Sequence, residues 1–236
     1  MELIFSNYNF HIKNNSINCI MGNGIDFKAL EDACLNTKSV GIITHPVINE
    51  IIFKKVFEEL NYSFEQSNHL DNKIILNSLK MVGLPTNYID KKIENLSSSE
   101  LYLIKLASLL ISNPQIIILD NPNIYLDLKN LNNFLKIIRT IKRRYNKTII
   151  IFSNDSNFVH SIADYLFIIE KDHIIASGNK YEIFNNEELL KNSKIKVPDI
   201  IEFEKLIKNT KNININYRDN INDLIKDICF YNWKIT

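Results

Sequence analysis

A short, uninterrupted apolar segment at residues 116–119 constrains the fold more than any other feature of the sequence. Its four residues read IIIL and are bounded by polar residues on both sides. Such a run is typical of a strand buried on both faces, as in a parallel sheet covered by helices. Further strand patterns at 17–21, 40–44 and 148–152 alternate with helical patterns. This alternation predicts an α/β domain with a mainly parallel sheet.

Helical patterns fill the intervals between these strands. Apolar residues recur at helical spacing in four segments, 50–62, 71–82, 97–112 and 129–145. Ser97 opens the third segment and Glu100 follows three residues later, which is the spacing of a capping box. The sequence therefore predicts a helix that begins directly after Ser97.

Two hairpins are also predicted. Strand patterns at 8–12 and 17–21 flank a polar turn, and we expect these two strands to pair with each other. A second hairpin is expected from 165–169 and 173–176, where two apolar runs enclose a short polar turn.

Composition excludes several classes of function. The chain of 236 residues is long enough for one sizeable domain and a small appendage. Its 28 basic and 27 acidic residues leave a net charge of +1, so there is no basic field for nucleic acid. No apolar run approaches the roughly 20 residues that span a bilayer. Residues 1–10 lack the pattern of a signal peptide, and a cytoplasmic location is expected. Cys19, Cys34 and Cys229 contain no CxxC pair, which favours unlinked thiols.

Three motifs follow one another in a fixed order between residues 95 and 127. The segment NLSSSE at 95–100 heads a predicted helix, the apolar strand then ends in LDNP at 119–122, and LD follows at 126–127. Their order and separation resemble the signature, Walker B and D-loop motifs of ABC-type ATPases, which read LSGGQ, LDEP and LD. On this resemblance the chain is identified as a member of the ABC ATPase family.

The resemblance extends over essentially the whole chain. The segment GNGIDFKA at 22–29 lies between a predicted strand and a predicted helix, where a P-loop belongs. The strand 148–152 and the residues after it resemble the H-loop region. The tail after residue 193, with helices expected at 199–207 and 220–228, resembles the C-terminal extension of energy-coupling-factor (ECF) ATPases.

This resemblance implies a fold and a domain organisation. Residues 1–192 would form a P-loop NTPase-like ABC nucleotide-binding domain, with a helical signature subdomain at about 50–112. The antiparallel β subdomain of the family would be reduced, because few residues separate Lys28 from His45. Residues 193–236 would form a small helical extension through which two ATPase subunits associate.

The resemblance also implies ATP and Mg²⁺ as cofactors and names the residues that would contact them. P-loop contacts would come from Gly22, Asn23, Gly24, Phe27, Lys28 and Ala29. A partner's nucleotide would be contacted by Leu96, Ser97, Ser98, Ser99, Glu100 and Asp127. Asp120, at the Walker B position, would hold Mg²⁺, and His45 stands where the Q-loop glutamine is expected.

Four positions depart from the family pattern in ways that weaken the chain's own nucleotide site. Phe27 replaces a P-loop glycine that permits close approach of phosphate, and Ala29 replaces the hydroxyl that binds Mg²⁺. Asn121 replaces the glutamate that activates water. An amide cannot accept a proton as a carboxylate does, and general-base assistance is worth about 10²–10⁴ in rate. Asn154 replaces the H-loop histidine.

The signature segment is better preserved. Ser97 and the helix N-terminus behind it could offer a hydroxyl, N–H groups and a positive dipole end to a partner's γ-phosphate. Ser98 and Ser99 stand where the family has glycines. Two roles of Ser97 stay open, one as a phosphate ligand and one as a helix cap alone.

The leading hypothesis is one half of a heterodimeric ECF-type importer motor. Its partners would be a second ABC ATPase with intact motifs, a transmembrane coupling subunit and a separate substrate-binding membrane subunit. The chain would lie peripherally on the inner face of the cell membrane, docking through residues 50–64, without nucleic acid. Whether it is an enzyme is left open. One alternative is a fully active transport ATPase, and another is a non-enzymatic scaffold of the membrane complex.

Overall fold

The structure is a computed structural model that describes residues 2–5, 8–22, 40–66, 73–171, 173–211 and 223–226. Within these ranges an α/β core carries a helical subdomain and a helical tail. The α/β fold class predicted from the alternation of strands and helices is confirmed.

The strands form two sheets. Their bounds are β1 Glu2–Phe5, β2 Tyr8–His11, β3 Ile17–Gly22, β4 Val40–Ile43, β5 Ile116–Asp120, β6 Thr148–Phe152, β7 Tyr165–Glu170 and β8 His173–Asn179. The six-stranded sheet has the order β4-β5-β6-β3-β7-β8. Its pairings are parallel except for β7 with β8, which form the antiparallel hairpin expected at this place. The central strand β3 therefore ends beside the ends of β6 and β7.

Helices cover this sheet and build the subdomain. Their bounds are α1 Val56–Gln66, α2 Lys73–Met81, α3 Ser98–Ile111, α4 Leu128–Tyr145, α5 Ser156–Ile162, α6 Lys180–Asn185, α7 Glu187–Asn192 and α8 Asp199–Lys211. Helix α3 is preceded by the capping box that the sequence predicts, with Ser97 as its N-cap. No helix in the described ranges combines the length and the apolarity needed to cross a membrane.

Alternate residues of the central strands pack into two different apolar clusters. Cys19 and Leu119 belong to the cluster shared with α3, whereas Ile20, Ile118 and Phe152 belong to the cluster on the opposite face. Because side chains alternate between the faces of a strand, this distribution shows that both faces of the sheet are covered. It explains why residues 116–119 are apolar without interruption.

The first predicted hairpin is wrong. Strand β2 pairs with β1 in a separate two-stranded antiparallel sheet, and β3 pairs in parallel with β6 and β7. The polar turn between them is closed by Asn18, whose side chain accepts from the N–H of Lys13 and donates to its carbonyl, both at 3.0 Å. A turn can thus be closed without the flanking strands pairing.

The helix predicted at 50–62 begins later than expected, at Val56. The reason is a short backbone pairing in which Ile93 N–H donates to Lys54 O and Val56 N–H donates to Lys91 O, at 2.8 and 3.0 Å. These bonds hold the chain extended before the helix. They also tie residues 54–56 to the residues that precede the signature motif.

The tail returns to the body of the protein. Helix α8 follows Pro198, as predicted, and residues 223–226 are also helical. Leu224 is fully buried. Residues 223–226 therefore lie against the α/β core, where Asp223 shares a pocket with Ile17 and Asp164.

Candidate functional site

The candidate nucleotide site lies at the edge of the sheet where the parallel strands end. Gly22 ends β3, Asp120 ends β5, and Asn154 lies two residues beyond the end of β6. Ligands of open α/β sheets bind outside the carboxyl ends of their strands. The structure thus brings together three positions that the sequence predicts as site residues. The predicted P-loop contacts Asn23, Gly24, Phe27, Lys28 and Ala29 lie outside the described residues.

Asp120 is buried and is held by neutral donors. Asn121 Nδ2 donates to its Oδ1 at 2.6 Å, and the backbone N–H of His45 also donates to the carboxylate. Burial raises the pKa of the Asp120 carboxyl, and these hydrogen bonds and the nearby His45 oppose the rise. A metal ion bound by Asp120 would therefore share the carboxylate with these hydrogen-bond donors.

Asn121 adopts a left-handed backbone conformation with φ 44°. Its backbone N–H donates to Phe152 O at 2.9 Å, which ties the end of β5 to the end of β6. Its side chain is turned toward Asp120 and donates to that carboxylate. In this arrangement the Asn121 amide donates to the Asp120 carboxylate, and an amide cannot remove a proton from water.

Asn154 is bound to the first residue of the predicted P-loop. Its Oδ1 accepts from Gly22 N–H at 2.7 Å and its Nδ2 donates to Gly22 O at 3.3 Å. Next to it, Ser153 Oγ donates to Asn123 Oδ1 at 2.9 Å. The H-loop position therefore holds the backbone at the end of β3.

The Q-loop position is fixed by a tyrosine that the sequence analysis did not identify. Tyr125 OH hydrogen-bonds to His45 Nδ1 and accepts from Val47 N–H at 2.8 Å. The Tyr125 ring stacks on that of the buried Tyr102, with centroids 5.1 Å apart. Since Tyr125 lies between the Walker B and D-loop motifs, it joins three motifs, and no local sequence pattern predicts this contact.

The signature segment forms a dense hydrogen-bond cluster. Glu100 Oε2 accepts from Ser97 N–H at 2.7 Å and from Ser97 Oγ at 2.9 Å, and Ser97 Oγ accepts from Glu100 N–H at 3.3 Å. Tyr88 OH donates to the other Glu100 oxygen, and Lys91 lies 3.7 Å from it. The helix-cap role of Ser97 is therefore present, whereas a phosphate-ligand role stays a prediction.

The remaining signature residues differ in burial. Leu96 packs against the main core and Ser99 is buried, whereas Ser98 is exposed. Asn130 Nδ2 donates to Ser99 Oγ and to Asp127 Oδ2, both at 3.1 Å, while Asp127 caps α4. The D-loop and the signature are thus joined through one amide. Asn130 stands three residues after Asp127, and this cap spacing is the signal that could have identified it.

The hydrogen bonds of Glu100 lower the pKa of its carboxyl to about 2 from an ordinary 4.5, with Tyr88 as the largest cause. Because the folded pKa is depressed, the charged form stabilises the fold above pH 4.5, and this stabilisation is lost as the pH falls toward about 2. We expect the stability advantage of the wild type over Glu100→Gln to shrink across this interval. Urea unfolding at a series of pH values measures it.

The matched control for this experiment is Glu94→Gln. Glu94 makes a surface ion pair with Lys92 at 3.3 Å and is exposed. Its replacement should leave the pH profile of unfolding close to that of the wild type. A Glu100→Gln profile parallel to the wild type would contradict the assignment of this carboxylate as a stabilising anion.

A partly buried charge network links the Q-loop to the signature helix. Lys105 on α3 lies 3.5 Å from Glu59 and 3.9 Å from Glu50, and it donates to Glu50 O at 2.9 Å. Glu50 in turn accepts from Thr44, one residue before His45. Glu59 also accepts from the N–H groups of Ile52 and Phe53. The segment 50–53 is therefore fixed by Lys105 of α3 and by Glu59 of α1.

The described part of the site offers Asp120 as a candidate ligand for a metal ion. No group of three His, Cys, Asp or Glu side chains that could hold a metal occurs in the part of the chain that the structure describes. Mg²⁺ is commonly bound by one or two carboxylates together with substrate phosphates. Asp120 fits that role as a single protein ligand.

The sequence was compared with known proteins. No protein-family model matches it. It is 33% identical over 175 residues to the energy-coupling factor transporter ATP-binding protein EcfA1 of Mycoplasma mobile, covering 73% of this chain and 63% of that protein. It is 30% identical over 194 residues to EcfA of Malacoplasma penetrans, covering 81% and 67%. The matched segment thus spans about two thirds of the length of these relatives.

Solved structures show a similar fold. The structure of cbiO1 from Clostridium perfringens, part of the ABC transporter complex cbiONQ, has a TM-score of 0.65 at 22% identity, covering 84% of this chain and 90% of that one. The ATP-binding cassette MJ0796, a dimer bound to ADP and Pi, has a TM-score of 0.58 at 17% identity, covering 73% and 88%. At these identities the likeness concerns the fold.

Proposed function

Since this chain belongs to the ATP-binding proteins of energy-coupling-factor transporters, within the ABC ATPases, we propose that it is the degenerate half of a heterodimeric import motor. Its signature segment completes the nucleotide site of an intact partner ATPase. Its own site binds ATP and Mg²⁺ weakly and does not hydrolyse ATP. The observation that carries this proposal is the use of Asn121 and Asn154, at the two catalytic positions, in hydrogen bonds within the chain.

The two asparagines support the loss of catalysis for different reasons. Asn121 donates its side-chain N–H to Asp120, so its amide supports the metal ligand and supplies no base. Asn154 uses both its oxygen and its nitrogen on Gly22. Asp120 remains as the residue that would hold Mg²⁺, which would supply charge neutralisation to bound phosphates. Lys28 remains as the cation of the P-loop in the sequence.

The signature supports a contribution in trans. Ser97 precedes the 14-residue helix α3, whose first N–H groups and positive dipole end suit a phosphate. The Glu100 carboxylate lies beside Ser97 and would repel that phosphate. Lys91 and Tyr88 hold this carboxylate from the other side. We infer that Ser97 exchanges its bond to Glu100 for one to the partner's nucleotide when the dimer closes.

Two sets of exposed apolar side chains support the proposed partners. On and before α1, Ile52, Phe57 and Tyr62 are between 42% and 66% exposed, in the segment where we propose that a transmembrane subunit docks. On the tail, residues Phe203, Leu206 and Ile225 are 38% to 58% exposed and suit association with the second ATPase. We propose accordingly that residues 193–236 form the dimerisation extension. The chain would then sit peripherally on the inner face of the membrane.

The test uses the chain co-expressed and purified with an intact ATPase partner and the transmembrane subunit. Ser97→Asp keeps a good helix cap but places a negative charge where the phosphate would bind. We expect it to lower ATP hydrolysis by the complex at least about tenfold, as loss of a preorganised anion site does. Ser97→Thr, which keeps the hydroxyl, should retain most of the activity. Lys28→Ala should change ATP hydrolysis by the complex less than about twofold, because this chain's own nucleotide site contributes little to it.

The alternatives predict different results. A fully active transport ATPase would hydrolyse ATP as a purified single chain, and Lys28→Ala would abolish that activity. A non-enzymatic scaffold would bind no nucleotide, and neither Ser97→Asp nor Lys28→Ala would change hydrolysis by the complex. Either result would overturn the proposal.

A further inference from the structure

A polar cavity of about 410 Å³ lies at the opposite edge of the sheet from the nucleotide site. It is lined by Ile17 at the start of β3, by the C-terminal half of α4, by residues 162–164 before β7 and by the start of α6. Asp223, from the returning tail, also lines it. Because β3 runs from Ile17 to Gly22, its two ends lie roughly 16 Å apart. The cavity is therefore separate from the site at Gly22.

Among the described residues that line this cavity, positive and negative charges do not balance. Four cations face it from two helices, Arg139, Lys142, Arg143 and Lys180, against the two carboxylates Asp164 and Asp223. Four positive and two negative charges leave a formal excess of two positive charges. Such an excess in a partly enclosed space raises the local concentration of anions.

Several of these groups are held in place by the fold. Lys142 Nζ donates to both oxygens of Asp164 at 3.0 and 2.8 Å, and Asp164 Oδ2 also accepts from Ile17 N–H at 2.8 Å. Lys180 is only 6% exposed and donates to His160 O at 2.9 Å. Arg139 donates one N–H to Ser161 O at 2.5 Å. Lys142, Lys180 and Arg139 are thus positioned before any ligand arrives.

Two guanidinium groups retain donors for a ligand. Arg139 has five N–H groups, of which Ser161 O accepts one. Arg143 makes no ion pair or hydrogen bond among the described residues, and its side chain lines the cavity. Guanidinium groups bind phosphate oxygens through paired N–H donors. We propose that this cavity is a binding site for a phosphate dianion, whose two negative charges match the excess.

Asp223 would compete with such a ligand. Its carboxylate already occupies one side of the cavity, and the neighbouring Leu224 is fully buried. A dianion that enters the cavity is repelled by Asp223 and attracted by Arg139 and Arg143. Removal of the carboxylate should therefore strengthen phosphate binding, whereas removal of an arginine should weaken it.

The experiment is calorimetric titration of the full chain with inorganic phosphate at constant ionic strength. Asp223→Asn should raise the affinity and Arg143→Gln should lower it, each by about tenfold, as expected for one charge-assisted contact. Arg144→Gln is the matched control, because Arg144 is the next residue on α4 and does not line this cavity. Lys28→Ala controls for phosphate binding at the P-loop. It should leave the affinity of the cavity for phosphate unchanged.

Adenosine monophosphate and vesicles of phosphatidic acid in phosphatidylcholine distinguish the possible sources of the phosphate group. Binding that is sensitive to Arg143 with any of these probes supports the site and identifies the source. Equal losses in Arg143→Gln and Arg144→Gln would show a diffuse counter-ion effect and overturn the proposal. Weaker binding by Asp223→Asn, or the absence of saturable binding by all three probes, would also overturn it.

Discussion

Replacing Gly22 with alanine is expected to lower the free energy of unfolding by at least about 3 kcal/mol, the range of severe single substitutions. Gly22 has φ +126°, a conformation that other residues rarely adopt. An added Cβ would lie 1.9 Å from the carbonyl oxygen of Ile169, which is backbone of the neighbouring strand. The pairing of β3 with β7 would have to separate at Gly22. Urea unfolding followed by far-ultraviolet circular dichroism measures the loss.

Gly83→Ala is the matched control for this prediction. Gly83 also has a positive φ, +76°, but an added Cβ would meet only Ile137 Cδ1 at 3.7 Å. Its replacement should therefore cost only the left-handed strain of about 1–2 kcal/mol. Similar losses in both variants would show that the close approach to Ile169 has no effect of its own.

The second large effect is expected for Lys105→Met, which removes the cation between two carboxylates. The side chains of Lys105 and Glu50 are 18% and 17% exposed, and that of Glu59 is 3% exposed. Removing one partner from a buried ion pair leaves an uncompensated charge and costs about 3–5 kcal/mol in other proteins. Because this network is partly solvated, we expect a loss of about 3 kcal/mol, near the lower end. Chemical denaturation at neutral pH measures it.

Two further variants separate the charge from the packing. Lys129→Met removes an exposed lysine from the first turn of α4 and should change stability by less than about 0.5 kcal/mol. The double variant Lys105→Met with Glu59→Gln removes one charge of each sign and keeps an acceptor for Ile52 and Phe53. It should recover part of the loss. A double variant less stable than Lys105→Met would contradict the charge argument.

Much of the fold could be predicted because its signals are local. The capping box needs only Ser97 and Glu100 at the correct spacing, and the structure contains it. The apolar run of β5 predicts burial on both faces, which is also found. The predicted pairing of β2 with β3 was wrong, because an alternating pattern identifies a strand but not the strand beside it. The burial of β3 on both faces is the feature that argues against a simple hairpin.

The site was harder to predict because its contacts join distant segments. Position in a motif identifies Asn154, but its hydrogen bonds to Gly22 span 132 residues. Tyr125 reaches His45 across 80 residues, and Lys105 reaches Glu50 across 55. Such contacts depend on the assembled sheet and leave no periodic signal. The identities of the site positions are therefore readable from a single sequence, while their partners are not.

Glycine has two separable tasks in a chain of this kind, and asparagine can perform one of them. The sequence has only 5 glycines. Among the described non-glycine residues, left-handed turns are made mostly by four asparagines, Asn15, Asn113, Asn121 and Asn146, and otherwise by Lys171 and Lys194, with φ between 44° and 55°. Asparagine tolerates this conformation better than most residues.

The other task is to leave room for a second group against the main chain, and no residue with a Cβ can do that. A compositional drift away from glycine would thus leave the turns of the domain intact, because asparagine can form them, whereas a replacement such as Phe27 would narrow a phosphate cradle. Loss of catalysis with retention of shape is the outcome that such a drift favours. A subunit that loses its nucleotide site in this way can still serve as the rigid structural partner of an active ATPase subunit.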